Sequence, residues 1–127
     1  MVTVMDRFQN FVAKIGQISQ MIKKLSGGEV PDFINMSLKA NLSINSKRFT
    51  LILSPTEPAF VEGHDPFTEF EIIADEQFWH DVFDGKYTFF GGYTRGLVEI
   101  PNFRPQRFKV FYISGMLSML QSLKMKF

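Results

Sequence analysis

Side chains able to do chemistry are few in this chain, and they stand apart. His64 and His80 are the only histidines. His64-Asp65 falls in a loop and His80 sits beside Trp79 and Asp81 on a short helix, so spacing offers no third donor and no metal site is expected. Glu69 and Glu71 share the wet face of a strand, where solvation accounts for them better than acid–base work. Gly91-Gly92-Tyr93-Thr94-Arg95-Gly96 has glycines at a phosphate-loop spacing, but no Lys-Ser/Thr pair follows and the run leads into a strand. No G-x-S-x-G nucleophile elbow occurs. With no cysteine, a thiolate nucleophile, a thiolate zinc site and a disulfide scaffold are all excluded. The expectation is a protein that is not an enzyme, with no cofactor. One charged cluster stands out: Arg104, Arg107 and Lys109 crowd the start of a helix, where the dipole disfavours cations. That placement points to contact with an anionic headgroup or an anionic membrane surface. Lys124 and Lys126, at the other end, complement a helix C-terminus.

The elements that hold these residues follow from periodicity. Phe8, Phe11, Val12, Ile15, Ile18, Ile22 and Leu25 recur every three or four residues, which predicts a helix over 5–25. Thr3 with Asp6 makes a capping box and Gly27-Gly28 a stop. Ile34, Met36, Leu38, Ala40, Leu42 and Ile44 alternate with polar residues, the pattern of a strand with one dry and one wet face. Asn45-Ser46-Lys47 turns the chain, and Phe49, Leu51 and Leu53 continue the alternation as a hairpin. Pro55 to Pro66 reads as a long acidic loop. A third strand carries Phe70, Ile72 and Ala74 inward. Asp75 caps a short helix with Phe78, Trp79, Val82 and Phe83, closed by Gly85. Trp79, on a stripe with Phe83, is expected to be shielded from solvent. A helical turn and loop over 86–94, a fourth strand over 95–100 and a last helix over about 105–125 complete the chain. Strands wet on one face need helices on the other, so the fold class is α+β, an antiparallel sheet with helices packed on one side.

The 127 residues suit a single domain, 1–127, and 45% hydrophobic residues with a net charge of +1 exclude a disordered tail. Charge is segregated: nine acids and no Lys or Arg fall between residues 57 and 84. A near-neutral chain without a dense basic stripe is not expected to bind nucleic acid. The N-terminus lacks a secretory signal, and the apolar run Phe108–Leu123 is interrupted by Lys109 and too short to span a bilayer. A cytoplasmic location is expected. The 15 phenylalanines exceed what a small core usually holds. On the last helix, Phe108, Phe111, Tyr112, Gly115, Met116, Met119, Leu120 and Leu123 form one stripe and Val110, Ile113 and Leu117 another. Together they span roughly 260° at 100° per residue, leaving Ser114, Ser118 and Gln121 as a narrow polar strip. A sheet needs only a little over ~100° of apolar helix surface. The surplus is expected to meet the first helix, a partner chain, a bilayer surface or a bound ligand.

Phe70-Glu71-Ile72-Ile73-Ala74-Asp75, then Trp79, Gly85-Lys86, Gly96-Leu97-Val98-Glu99-Ile100 and a final apolar helix resemble the second half of the sterol carrier protein type-2 domain, and the order of elements resembles that family over residues 34–125. Two features depart from it. Pro101-Asn102 stands where many members have a glycine turn, and Lys124-Met125-Lys126-Phe127 lacks the Ser-Lys-Leu peroxisomal address of animal members. The resemblance implies an apolar tunnel between sheet and helices that holds a lipid or fatty acyl chain, including acyl-coenzyme A, without catalysis. Met36, Leu38, Leu51, Leu53, Phe70 and Ile72 would then form its floor, and Phe89, Phe90, Met116, Met119 and Leu120 its wall and lid. Partners under this reading are the lipid itself and, transiently, an anionic membrane. Two alternatives remain beside it. One is a small isomerase or dehydratase on a cone-like α+β fold, against which the acid-free inward positions of the sheet speak. The other is an interaction domain that homodimerises through the C-terminal helix.

Overall fold

Thr3 opens the first helix by reciprocal capping: its amide donates to Asp6 Oδ2 at 3.2 Å and its Oγ1 accepts from the Asp6 amide at 3.1 Å. In the computed structural model, which describes residues 3–25, 37–54 and 57–122, this helix is α1, Val4–Leu25. Its stripe of Val4, Phe8, Phe11, Val12, Ile15 and Ile18 is buried. The expected Gly27-Gly28 stop, the strand start at Ile34, the cavity residue Met36, and Leu123, Lys124 and Lys126 lie outside the described residues.

The hairpin forms as the alternation requires. Strands β1 (Leu38–Ile44) and β2 (Lys47–Leu53) pair antiparallel, with Leu38 opposite Leu53 and Leu42 opposite Phe49. Asn45 and Ser46 both take positive φ, 49° and 71°, the signature of a two-residue type I′ turn. Beyond it the sheet differs from the antiparallel arrangement that the sequence pattern suggests. Residues 59–62, within the expected acidic loop, form strand β3 (Ala59–Glu62) along β2. Strand β4 (Glu71–Ala74) runs parallel to β1, giving the order β3-β2-β1-β4 in a mixed sheet. The expected strand over 95–100 reduces to one bridge, in which Ile73 and Glu99 exchange two 2.8 Å hydrogen bonds. Gly96 at φ 76° and Pro101, which has no N–H to donate, bracket that short extended stretch.

Because β3 and β4 occupy opposite edges, residues 63–70 must cross the sheet. They do so over the face that alternation assigns to solvent, and a polar cluster fastens them there. Asn41 Nδ2 donates to the carbonyls of Asp65 (2.9 Å) and Thr68 (3.2 Å), while its Oδ1 accepts from the Asp65 amide at 2.9 Å. The Thr50 hydroxyl donates to the Gly63 carbonyl at 2.7 Å, and His64 Nε2 lies 3.0 Å from the Leu42 carbonyl. Asn41 and Thr50 are buried in consequence.

The helices gather over the other face. Asp75 caps α2 (Glu76–Phe83), its carboxylate accepting from the Phe78 amide at 2.7 Å. Phe8 stacks on Phe60 of β3 at 4.5 Å and meets Trp79 of α2 edge-on at 4.8 Å. Trp79 in turn stacks on Phe89 of α3 (Phe89–Thr94) at 5.4 Å. Arg7 ties α1 to α2, reaching the His80 carbonyl at 3.0 Å and Asp84 Oδ1 at 2.6 Å. The last helix, α4 (Phe103–Ser122), is joined to α2 by Gln121 Nε2, which donates to the Val82 carbonyl at 2.7 Å.

Candidate functional site

The expected lining residues come together, as core. Leu38, Leu51, Leu53, Phe70, Ile72, Phe89, Met116 and Leu120 are buried in one continuous apolar cluster, with Phe90 and Met119 half-buried against it. The cluster is bounded by the sheet on one side and by all four helices on the other. Its polar contents are sparse. Trp79 Nε1, Gln106 Oε1 and, at the junction of α1 with α2, Arg7 Nε are enclosed without a hydrogen-bond partner among the described residues. Each such orphan costs about 1–3 kcal/mol. An open cleft of about 620 Å³ lies elsewhere, between the start of α1 (Thr3, Met5), the hairpin turn (Asn45, Lys47) and the acids Glu62 and Glu76. None of the expected lining residues borders it.

Neighbouring groups perturb the ionisation of a few side chains. The nearby Phe67 amide, at 2.9 Å, and Lys39 Nζ, at 3.1 Å, hold the Asp65 carboxyl below the usual carboxylate range. Asp81 is lowered by hydrogen bonding from Gln77 and by Lys86. Burial, with Asp81 beside it, pushes the Tyr87 hydroxyl up. Among the described residues no group of three or more His, Asp or Glu is placed to hold a metal ion. The glycine run 91–96 is used for packing: a Cβ on Gly92 would collide with the ring of Phe78, so α3 lies directly against α2.

The last helix turns a different face inward from the one its main stripe suggests. Gln106, Val110, Ile113, Ser114, Met116, Leu117 and Leu120 are buried, whereas Phe108 is 68% exposed and Phe111 44% exposed. Ser114, expected in the polar strip, points inward and its Oγ accepts from the Phe90 amide at 3.2 Å. Hydrophobicity alone cannot orient a helix that is apolar over most of its circumference. Shape and neighbouring elements decide, and here the aliphatic side fills the core. The aromatic side lies over α3, where Phe90 meets Phe111 at 4.9 Å and Tyr93 stacks on Phe103 at 4.4 Å. The three cations also divide. Arg104 and Arg107 are exposed on the side of Phe108 and Phe111, while Lys109, half-buried, is turned about 140° from Arg104 at 100° per residue.

By sequence, no family model and no curated protein matches the chain. Solved structures do. Sterol carrier protein 2 from Yarrowia lipolytica, in its apo form, superposes with a TM-score of 0.54 at 15% identity, covering 91% of this chain and 87% of that one. Palmitated SCP2L2 from Aedes aegypti gives 0.53 at 9% identity, covering 82% and 89%. A conserved hypothetical protein from Thermus thermophilus gives 0.50 at 17% identity, covering 89% and 85%. The chain has the sterol carrier protein 2 fold.

This SCP2-like domain keeps the expected landmarks in their expected roles: Asp75 caps α2, Gly85 follows it at φ 78°, and Trp79 is fully buried. Periodicity did not reveal the exposed aromatic face of α4 or Phe60, which joins α1 to the sheet. The signal for the first was present in the excess of phenylalanine over core capacity. No local signal marked the second, a single apolar residue in an acidic stretch. No helix among the described residues is long and apolar enough to cross a membrane.

Proposed function

We propose that this SCP2-like domain is a cytoplasmic, non-catalytic carrier that holds a lipid or long-chain fatty acyl group in its apolar interior. The observation that carries the reading is the fold, together with a continuous acid-free interior between sheet and helices. One of the proteins sharing the fold is palmitated. Binding would be by burial: each methylene moved from water contributes about 0.8 kcal/mol, so ten contribute on the order of 8 kcal/mol before ordering costs. The ligand would part the residues now packed together, entering between the floor of Leu38, Leu51, Leu53, Phe70 and Ile72 and the wall of Phe89, Phe90, Met116, Met119 and Leu120. The unpaired Trp79 N–H would supply a donor inside. Arg104 and Arg107, exposed on one side of α4, would serve the anionic part of the same chemistry, a headgroup or membrane surface, while Lys109, expected to share that role, faces away from them.

The test is native mass spectrometry of the protein as purified from its expression host, followed by titration with palmitate while Trp79 emission is read. A bound mass that denaturation releases, or a saturable change in emission, is expected. A protein that arrives empty and whose emission ignores fatty acids of every chain length would overturn the reading.

A further inference from the structure

We propose that the outward face of α4, formed by Arg104, Arg107, Phe108 and Phe111, is a docking surface for an anionic lipid bilayer. At 100° per residue these four positions fall within an arc of about 100°, and all four are exposed. The aromatic rings are large and wet, Phe108 at 68% and Phe111 at 44% exposure. They rest on a firm base, since Phe111 meets both Phe90 and Phe103, at 4.9 and 6.5 Å, and Phe103 is stacked on Tyr93. The Arg107 guanidinium lies over the Phe108 ring at 5.0 Å and donates to the Arg104 carbonyl at 3.0 Å. Neither arginine forms an ion pair among the described residues, and the sequence contains no acid after Glu99.

Charge selects the occupant. A second copy applied through a two-fold axis would set the same arginines against one another with no acid on α4 to offset them. An anionic bilayer instead offers phosphate and carboxylate groups to the guanidinium forks at the depth where aromatic rings enter the acyl boundary. Lys109, turned to the other side of the helix, is not part of this surface. The proposal rests on the lipid reading for its setting and adds which surface meets the membrane. The two fail separately, because docking is read on vesicles and cargo by mass.

The experiment is flotation of the full chain with vesicles of phosphatidylcholine alone and of phosphatidylcholine with about a third phosphatidylserine. Basic residues near an acidic surface contribute about 1 kcal/mol each, which converts to about fivefold per residue. Arg104→Gln with Arg107→Gln is expected to lower partitioning onto the anionic vesicles about 25-fold at low salt, and Phe108→Ser on the order of tenfold. Thermal melting should be unchanged in both, since the side chains are exposed. In Phe108→Trp, vesicles with brominated acyl chains should quench emission more than they do in wild type, whose single indole is the buried Trp79. Wild-type protein that does not float, or that floats equally with both vesicle types, overturns the proposal. So does an arginine double variant that partitions like wild type. A stable dimer in sedimentation equilibrium that Phe108→Ser dissociates would also overturn it, giving the face to a partner copy.

Discussion

Gly92 and Gly115 both sit inside helices, and replacing each with alanine should move stability in opposite directions. A methyl on Gly92 would collide with the ring of Phe78, whereas one on Gly115 would meet nothing within 4 Å. Intrinsic propensity favours alanine in a helix by about 1 kcal/mol at either site. At Gly115, exposed on α4, that gain stands alone, so Gly115→Ala should stabilise by about 0.5–1 kcal/mol. At Gly92 it is set against overpacking, which costs about 1–3 kcal/mol. Phe78 cannot easily yield: it is buried and flanked by Trp79 at 5.2 Å, Tyr87 at 5.8 Å and Phe89 at 6.1 Å. Collision should therefore win, leaving Gly92→Ala less stable by about 1–2 kcal/mol, or about 4–8 °C in Tm for a domain of this size. Urea melts of the two variants give the free energies directly. Adding Phe78→Leu should make Gly92→Ala nearly harmless, a positive coupling in a double-mutant cycle. If Gly92→Ala proves as stable as wild type, α3 does not lie against α2 as described, and the packing around Trp79 must be redrawn.

Ser46, held at φ 71° in the hairpin turn, should gain about 0.5 kcal/mol on replacement by glycine, which occupies that region without strain; urea denaturation reads the difference. Asn41→Leu removes three of the hydrogen bonds fastening the crossing loop, so it should cost about 2–3 kcal/mol and speed hydrogen exchange at the Asp65 amide above all. The folded pKa of Asp65 lies below its ordinary 3.8, chiefly through the Phe67 amide and then Lys39. Its contribution is therefore complete above that value and disappears as pH falls through the lowered one. Asp65→Asn should flatten the loss of Tm below about pH 4, and an acid limb identical to that of wild type would contradict this assignment.

What the sequence determines by itself is whatever neighbouring residues settle among themselves. The period of α1, the Thr3–Asp6 box, the alternation and turn of β1 and β2, and the Asp75 cap of α2 all depend on partners within a few positions, so their patterns survive in one dimension. The excess of phenylalanine likewise announced aromatic surface beyond the needs of the core. Tertiary structure decided the rest. Four residues between two prolines become β3 because β2 offers an edge and Phe8 and Phe49 enclose Phe60. The parallel pairing of β4 beside β1 places β3 and β4 on opposite edges, which sends residues 63–70 across the supposedly wet face and buries Asn41. The inward face of α4 was undetermined for the same reason. Over an apolar arc of roughly 260° at 100° per residue, burial is favourable in many orientations. Only the shape of the sheet, α2 and α3 selects the aliphatic side for the core and leaves Phe108 and Phe111 to solvent.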